Sequence, residues 1–172
     1  AITNGDTFNY SIELLEAKFP VRVKQYTLNT PGGVGAGLYH GGYGSIREYE
    51  LLTDDTVLSA SYGRSIEKPW GGDGGQAGSC NYFELEVGND KRRAARAPTT
   101  IMKRGDVIRM VTGGGGGYGD PFKRPIEKVF DEIRAEYITA EQARQDYGVV
   151  IAADGTSVDE AGTIKLRASA GA

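Results

Sequence analysis

A strand-like run from Val107 to Thr112 feeds directly into Gly113-Gly114-Gly115-Gly116-Gly117-Tyr118-Gly119-Asp120-Pro121. Glycine loops placed after a strand can aim backbone amides at phosphate oxygens. The residues after this run depart from that chemistry. No Lys-Ser or Lys-Thr pair succeeds it, and Asp120-Pro121 stands where a phosphate-binding helix would open. Three uses are open for the loop: nucleotide binding, tight packing of extended backbone, or the lining of a substrate cavity. Packing is the favoured one.

The remaining reactive side chains are few. His40 is the single histidine, set between Tyr39 and Gly41. One imidazole can act as a base, but a His-rich metal site cannot be assembled from it. Cys80 is the single cysteine. It has no basic neighbour in sequence to hold a thiolate, which suits a small buried hydrophobe. Trp70, the only tryptophan, lies between Pro69 and Gly71-Gly72. It can stack on glycine backbone or line a pocket. No Ser–His–Asp arrangement or carboxylate pair stands out. The basic run Lys91-Arg92-Arg93, with Arg96, Lys103 and Arg104 nearby, reads as a solvated loop, with contact to an anion or a partner as the alternative.

These residues are embedded in an unusual abundance of glycine: 26 of 172 residues, of which 21 lie between Gly32 and Gly119. Glycine is entropically costly to order, so this density implies backbone that side chains would obstruct. Close approach to a ligand is one such use. Main chain bundled on main chain is another, as in polyproline II assemblies where only glycine fits at the axis.

Residues 11–19 have helical spacing, with Ser11 as cap and Pro20 as stop. Residues 21–28 alternate as a half-buried strand, and further strands are expected at 45–52, 56–62, 81–87, 99–102 and 107–112. Pro125 opens a helical pattern through 137. Thr139 and Gln142 form a capping-box signature for a helix over 140–147, with Gly148 at its stop. Val149-Val150-Ile151 is read as a last strand. The expected fold is mainly β: antiparallel barrel-like sheets with Gly-rich polyproline II-like segments, followed by two short helices. The expected divisions are a Gly-rich β module over 1–121, a helical segment over 122–162 and a tail over 163–172.

The net charge of −3 gives no electrostatic reason to expect nucleic acid or an anionic membrane as partner. One cysteine permits no internal disulfide, as in a reducing compartment. No stretch approaches the roughly 18 apolar residues of a membrane span, and residues 1–9 lack the features of a signal peptide. A cytoplasmic location is expected.

Several motifs occur in a fixed order: Ile12-Glu13-Leu14-Leu15-Glu16-Ala17-Lys18-Phe19-Pro20-Val21-Arg22-Val23, Tyr39-His40-Gly41-Gly42-Tyr43-Gly44 with Arg47-Glu48-Tyr49, Pro69-Trp70-Gly71-Gly72, Arg104-Gly105-Asp106-Val107, the Gly114–Pro121 run, and Ala143-Arg144-Gln145-Asp146-Tyr147-Gly148-Val149-Val150. Together, from about residue 9 to about residue 162, they resemble the C-terminal part of the hydantoinase B/oxoprolinase family, the B-type subunit of ATP-dependent hydantoinases, to which acetone and acetophenone carboxylase subunits are related. The family usually has Arg where His40 stands, so no role is carried onto His40. The segment 88–97 is also unlike the family pattern.

The resemblance implies a hydrolase subunit that opens a cyclic amide after ATP has phosphorylated its carbonyl oxygen. A ketone carboxylase subunit, or a non-catalytic assembly subunit, are the alternatives. It implies a hydantoinase A-like partner of actin-like kinase fold that handles ATP and Mg. It places a divalent metal in an N-terminal portion of the B-type subunit, so that no cofactor is expected on this chain. It implies a hetero-oligomer inactive as an isolated chain. Catalytic residues are not identified. The expected substrate lining is the backbone of Gly114, Gly115, Gly116 and Gly117 with Tyr118, Trp70 and Arg47.

Overall fold

The computed structural model describes residues 9–170. The chain forms two compact units that interleave along the sequence. Of the described residues, one comprises 9–27, 46–62 and 82–110; the other comprises 28–45, 63–81 and 111–170.

The first unit is built on sheets. Helix α1 (Ile12–Lys18) starts at Ser11, whose side chain accepts from Leu14 N, and ends at Phe19 where the chain turns extended. The strands are β1 (Val21–Leu28), β2 (Ser45–Leu51), β3 (Thr56–Ser61), β4 (Tyr82–Val87), β5 (Asp90–Ala94), β6 (Arg96–Met102) and β7 (Val107–Val111). Five form one sheet in the order β1-β2-β7-β4-β5, and β3 pairs with β6 separately. Both β3–β6 and β4–β5 are antiparallel. Leu51, Phe83, Leu85, Ala97, Met102 and Ile108 make the core, where Tyr62 stacks on Phe83 at 4.2 Å between centroids. The β3–β6 register shifts between Leu58 and Ala60, opposite the stretch that carries Pro98, as expected of a residue that cannot donate to a ladder.

The structure corrects the sequence reading in several places. Among the described residues the sheets do not close into a barrel; β1 and β5 are free edges. Strand β5 occupies the basic run expected as a loop. Its residues Asp90–Arg93 are all exposed, so it shows none of the alternation by which strands are recognised. It is an edge held by charge: Lys91 meets Glu86 at 2.7 Å and Arg93 lies over the Tyr82 ring at 3.3 Å. Charged edges of this kind discourage pairing with other chains.

The second unit combines Gly-rich segments with helices. A single-turn 3-10 helix (Pro121–Lys123) precedes α2 (Ile126–Arg134), α3 (Ala140–Tyr147) and α4 (Glu160–Ala170). Helix α3 carries the full Thr139–Gln142 capping box and ends on Gly148 at φ 63°. Ala36, Val129, Ala143, Tyr147 and Val149 form this unit's core. The expected strand at 149–151 is reduced to a single bridge, Ile151 to Val158. Residues 163–170, expected as tail, belong to α4 instead. Asp159 accepts from Gly162 N at its start, the buried Thr163 hydroxyl accepts from Val150 N at 2.9 Å, and Arg167 donates to the carbonyls of Tyr147 and Arg124. No helix among the described residues is long and apolar enough to cross a membrane.

Candidate functional site

In the second unit, three Gly-rich segments, 35–44, 69–79 (which turns at Asp73-Gly74) and 113–119, lie side by side and hydrogen-bond to one another. Gly35 N donates to Gly115 O at 2.8 Å, Gly115 N to Gly42 O at 2.9 Å, Gly117 N to Gln76 O at 2.9 Å, Gly72 N to Gly117 O at 2.9 Å and Ser79 N to Gly114 O at 3.0 Å. Side chains complete the pattern, with Asn81 Oδ1 accepting from Gly113 N and Ser79 Oγ from Gly114 N, both at 2.8 Å. The amides of Gly113, Gly114, Gly115 and Gly117 are therefore engaged within the unit. A phosphate cradle needs such amides free, so these bonds exclude a P-loop-like use of the run.

Why glycine is required differs from residue to residue. None of Gly113–Gly117 has a positive φ, so their backbone conformation is open to any residue. The constraint is space. A Cβ on Gly116 would fall on the Trp70 carbonyl oxygen, one on Gly117 on that of Ala36, and one on Gly113 on that of Ser79. At Gly115 the nearest atom to a Cβ would be Gly42 N at 3.4 Å, an ordinary contact. Gly119 alone in the run adopts left-handed backbone, at φ 75°.

The bundle presents aromatic rings to solvent. Tyr39 and Tyr118 exchange both backbone hydrogen bonds, at 3.0 and 2.8 Å, so they face each other across an antiparallel bridge. Gly72 bridges to Tyr118 from the other side. Tyr39, Trp70 and Tyr118 are 63%, 76% and 57% exposed, and the Arg64 guanidinium stands 5.0 Å over the Trp70 ring. Of the residues expected as lining, Gly114–Gly117, Trp70 and Tyr118 thus come together in one bundle. Arg47 belongs to the first unit, where its guanidinium lies 4.4 Å over the Tyr26 ring.

A charged cluster fixes the 38–41 segment that carries Tyr39. Arg124, which precedes α2, donates to Leu38 O at 2.8 Å and pairs with Glu132 at 2.5 Å. His40 Nε2 lies 3.1 Å from the same Glu132 oxygen, and His40 Nδ1 lies 2.6 Å from Gly41 O. Both ring nitrogens face acceptors, an arrangement satisfied only by the doubly protonated ring. The hydrogen bond to Glu132 accordingly raises the His40 pKa above its ordinary 6.5, against an opposing effect of burial. Burial pushes Glu132 upward, but the His40 hydrogen bond and the Arg124 charge outweigh it and leave the carboxyl below its ordinary value. Burial also pushes the neighbouring Tyr43 phenol up to about 12. The geometry thus favours the protonated form of His40, which links Gly41 O to Glu132.

Sequence reasoning missed Arg124 and Glu132. The available signal was that Glu132 falls three residues after buried Val129 and beside Ile133, on the apolar stripe of α2, where a carboxylate needs a partner. Cys80 donates to Ile66 O at 3.4 Å. Among the described residues no group of three His, Cys, Asp or Glu side chains gathers to hold a metal.

The second unit thus carries an engaged glycine bundle with exposed aromatic rings and helices beside it. The family model for hydantoinase B/oxoprolinase matches residues 1–121, and the chain belongs to that family. It is 34% identical over 166 residues to the putative D-/L-hydantoinase B-type subunit of Pseudomonas sp. (strain NS671), covering 95% of this chain and 28% of that protein. It is 35% identical over 179 residues to the beta subunit of caprolactamase from Pseudomonas jessenii, covering 98% of this chain and 29% of that protein. The nucleotide-free structure of acetone carboxylase superposes with a TM-score of 0.82 at 24% identity, over 99% of this chain and 27% of that one, which is a likeness of fold. The chain thus spans less than a third of the length of the relatives it matches.

Proposed function

We propose that this chain is the C-terminal portion of a B-type subunit of an ATP-dependent cyclic amide hydrolase, of the hydantoinase or oxoprolinase type. The observation that carries the choice of hydrolysis is that a hydantoinase subunit and a caprolactamase subunit each align over nearly the whole chain. In this reading an A-type subunit of actin-like kinase fold handles ATP and Mg, a divalent metal sits in the N-terminal portion of the B-type subunit, and the hetero-oligomer works in the cytoplasm.

The contribution of this chain is a rigid wall. Its glycine segments are read as a polyproline II-like bundle, supported by hydrogen bonds that run between segments. With the Gly113, Gly114, Gly115 and Gly117 amides engaged, Gly114–Gly117 shape the wall while the exposed rings of Trp70 and Tyr118 touch substrate and keep water from it. His40, Glu132 and Arg124 hold the neighbouring segment in register.

The test is the assembled complex with ATP, given hydantoin, 5-oxoproline or caprolactam, and separately acetone with bicarbonate. Ring-opened product coupled to ATP consumption is the expected result. Carboxylation without ring opening would instead establish the ketone carboxylase reading, which the 33% identity to an acetone carboxylase alpha subunit over 74% of this chain favours. Trp70→Ala in the same complex separates wall from scaffold. Turnover falls while assembly persists if the ring touches substrate, and turnover is unchanged if the chain only organises the assembly.

A further inference from the structure

We propose that Arg47 and Tyr26 form a binding site for a small carboxylate with a short apolar chain, in the pocket bounded by α1, β1 and β2. This inference is independent of the proposed function and concerns the first unit alone.

The pocket is lined by Asn9, Tyr10, Ile12, Leu15, Val23, Tyr26, Arg47 and Tyr49 and has a volume of about 160 Å³. A water molecule takes about 30 Å³ in the liquid, so this is room for a ligand of only a few heavy atoms. The apolar wall comes from Ile12, Leu15 and Val23. The polar wall is rich in donors. Arg47 Nη2 donates to Tyr26 Oη at 2.8 Å, and Asn9 Nδ2 donates to the same oxygen at 3.3 Å. With its oxygen accepting twice, Tyr26 keeps its own hydroxyl proton to give, and no described residue accepts it. Arg47 Nε is buried and also without a partner.

The guanidinium has no carboxylate to balance it among the described residues. The reason lies in strand alternation, which sends successive side chains to opposite faces. Arg47 and Tyr49 share one face of β2. The acids Glu48 and Glu50 take the other, where Arg109 and Arg22 pair with them at 4.0 and 3.4 Å. Of the nearby acids on α1, Glu16 is committed to Val23 N at 2.7 Å. Burial works against the Arg47 charge, but the hydrogen bond to Tyr26 and the presence of Tyr49 hold its pKa above the ordinary value. The cation therefore persists, half-buried, beside a proton donor and an apolar wall. A carboxylate supplies the missing acceptors in the forked geometry that arginine matches best, and its alkyl chain covers Ile12, Leu15 and Val23.

The experiment is an NMR titration of the protein with sodium butyrate, and in parallel with butyramide, in chloride-free buffer. Saturable binding of butyrate is expected, with butyramide at least about 10-fold weaker, because charge-assisted bonds are roughly twice as strong as neutral ones. Arg47→Gln should weaken butyrate by at least about 10-fold, and Tyr26→Phe, which removes one donor, by roughly 3- to 10-fold. Arg47→Lys keeps the charge but not the fork and gives an intermediate loss, which preserves the test if Arg47→Gln does not fold. Equal binding of butyrate and butyramide, an unchanged affinity in Tyr26→Phe, or no saturation with butyrate would overturn the proposal. So would Asp6→Asn binding butyrate at least about 10-fold more tightly than the parent, since the anion would then be this chain's own.

Discussion

The most discriminating perturbation is a single methyl group placed at two adjacent positions of the glycine run. At Gly116 an alanine Cβ would collide with Trp70 O and lie 2.6 Å from Trp70 C and 3.0 Å from Gly71 N. Carbon contacts settle near 3.5 Å, so the 69–72 segment must withdraw by about 1 Å or more. That displacement pulls on two bonds between the 69–79 segment and the glycine run, Gly72 N to Gly117 O and Gly117 N to Gln76 O, each 2.9 Å long. Overpacking costs about 1–3 kcal/mol, and stranding one buried backbone pair adds about 1–3 kcal/mol. The expected destabilisation of Gly116→Ala is therefore about 2–6 kcal/mol. At Gly115 the same methyl would meet nothing closer than 3.4 Å, and the backbone φ there is not positive. Alanine there should be neutral, or stabilising by up to about 1 kcal/mol, through the reduced entropy of the unfolded chain. Urea unfolding followed by far-UV circular dichroism measures both, with an unchanged m-value confirming that stability itself has moved. If the two variants agree within about 0.5 kcal/mol, the glycines do not answer to spatial constraint and the account of the bundle fails.

The charged cluster sets a pH dependence whose sign comes from its shifts. The raised His40 pKa contributes stability that is complete below the unfolded value of 6.5 and is lost as pH rises through the folded value. The lowered Glu132 pKa contributes stability present above 4.5 and lost as pH falls through its folded value. The stability difference between the parent and His40→Gln should be greatest between these limits, on the order of 1–3 kcal/mol for a charge-assisted bond, and should shrink as alkaline pH is approached. His40→Arg should abolish that alkaline decline, as read from denaturant midpoints across pH. Asp106 offers an independent check in the first unit. Its buried carboxylate accepts from Gly88 N and Lys103 N, both at 2.8 Å. Asp106→Ala strands both donors and should lower stability by about 2–5 kcal/mol, a loss measurable as a fall in the urea midpoint; a change below about 0.5 kcal/mol would show that those bonds are not holding the turn.

What could be read from the sequence was what is local. Ser11, the Thr139–Gln142 pair and Gly148 act within a single turn, so their types and spacing carry the instruction, and α1 and α3 appear where expected. Strand β1 alternates because one of its faces is partly covered. Strand β5 gave no such signal, since its first four residues are all exposed and it is placed by pairing with β4. Helix α4 was hidden for a related reason. Its apolar pattern is weak, and it is held by Thr163 and Arg167 reaching groups contributed by earlier parts of the chain. The candidate site was half visible. Glycine density announced that backbone meets backbone, and Trp70 and Tyr118 do lie on that bundle. Yet five identical letters at 113–117 conceal the difference between Gly115 and its neighbours. The pairing of His40 with Glu132 joins positions far apart in sequence, a relation that no local spacing encodes.

Strand order has a consequence for synthesis. In the five-stranded sheet, β7 lies between β2 and β4, yet it is the last of those strands to leave the ribosome. Until it emerges, β2 and β4 each lack a neighbour, and the nascent chain carries open edges of the kind that attract foreign strands. Non-local pairings of this sort also slow folding. A translational pause while residues 107–111 are still inside the ribosome would prolong that exposure, whereas one after they have emerged would leave time for the middle of the sheet to close.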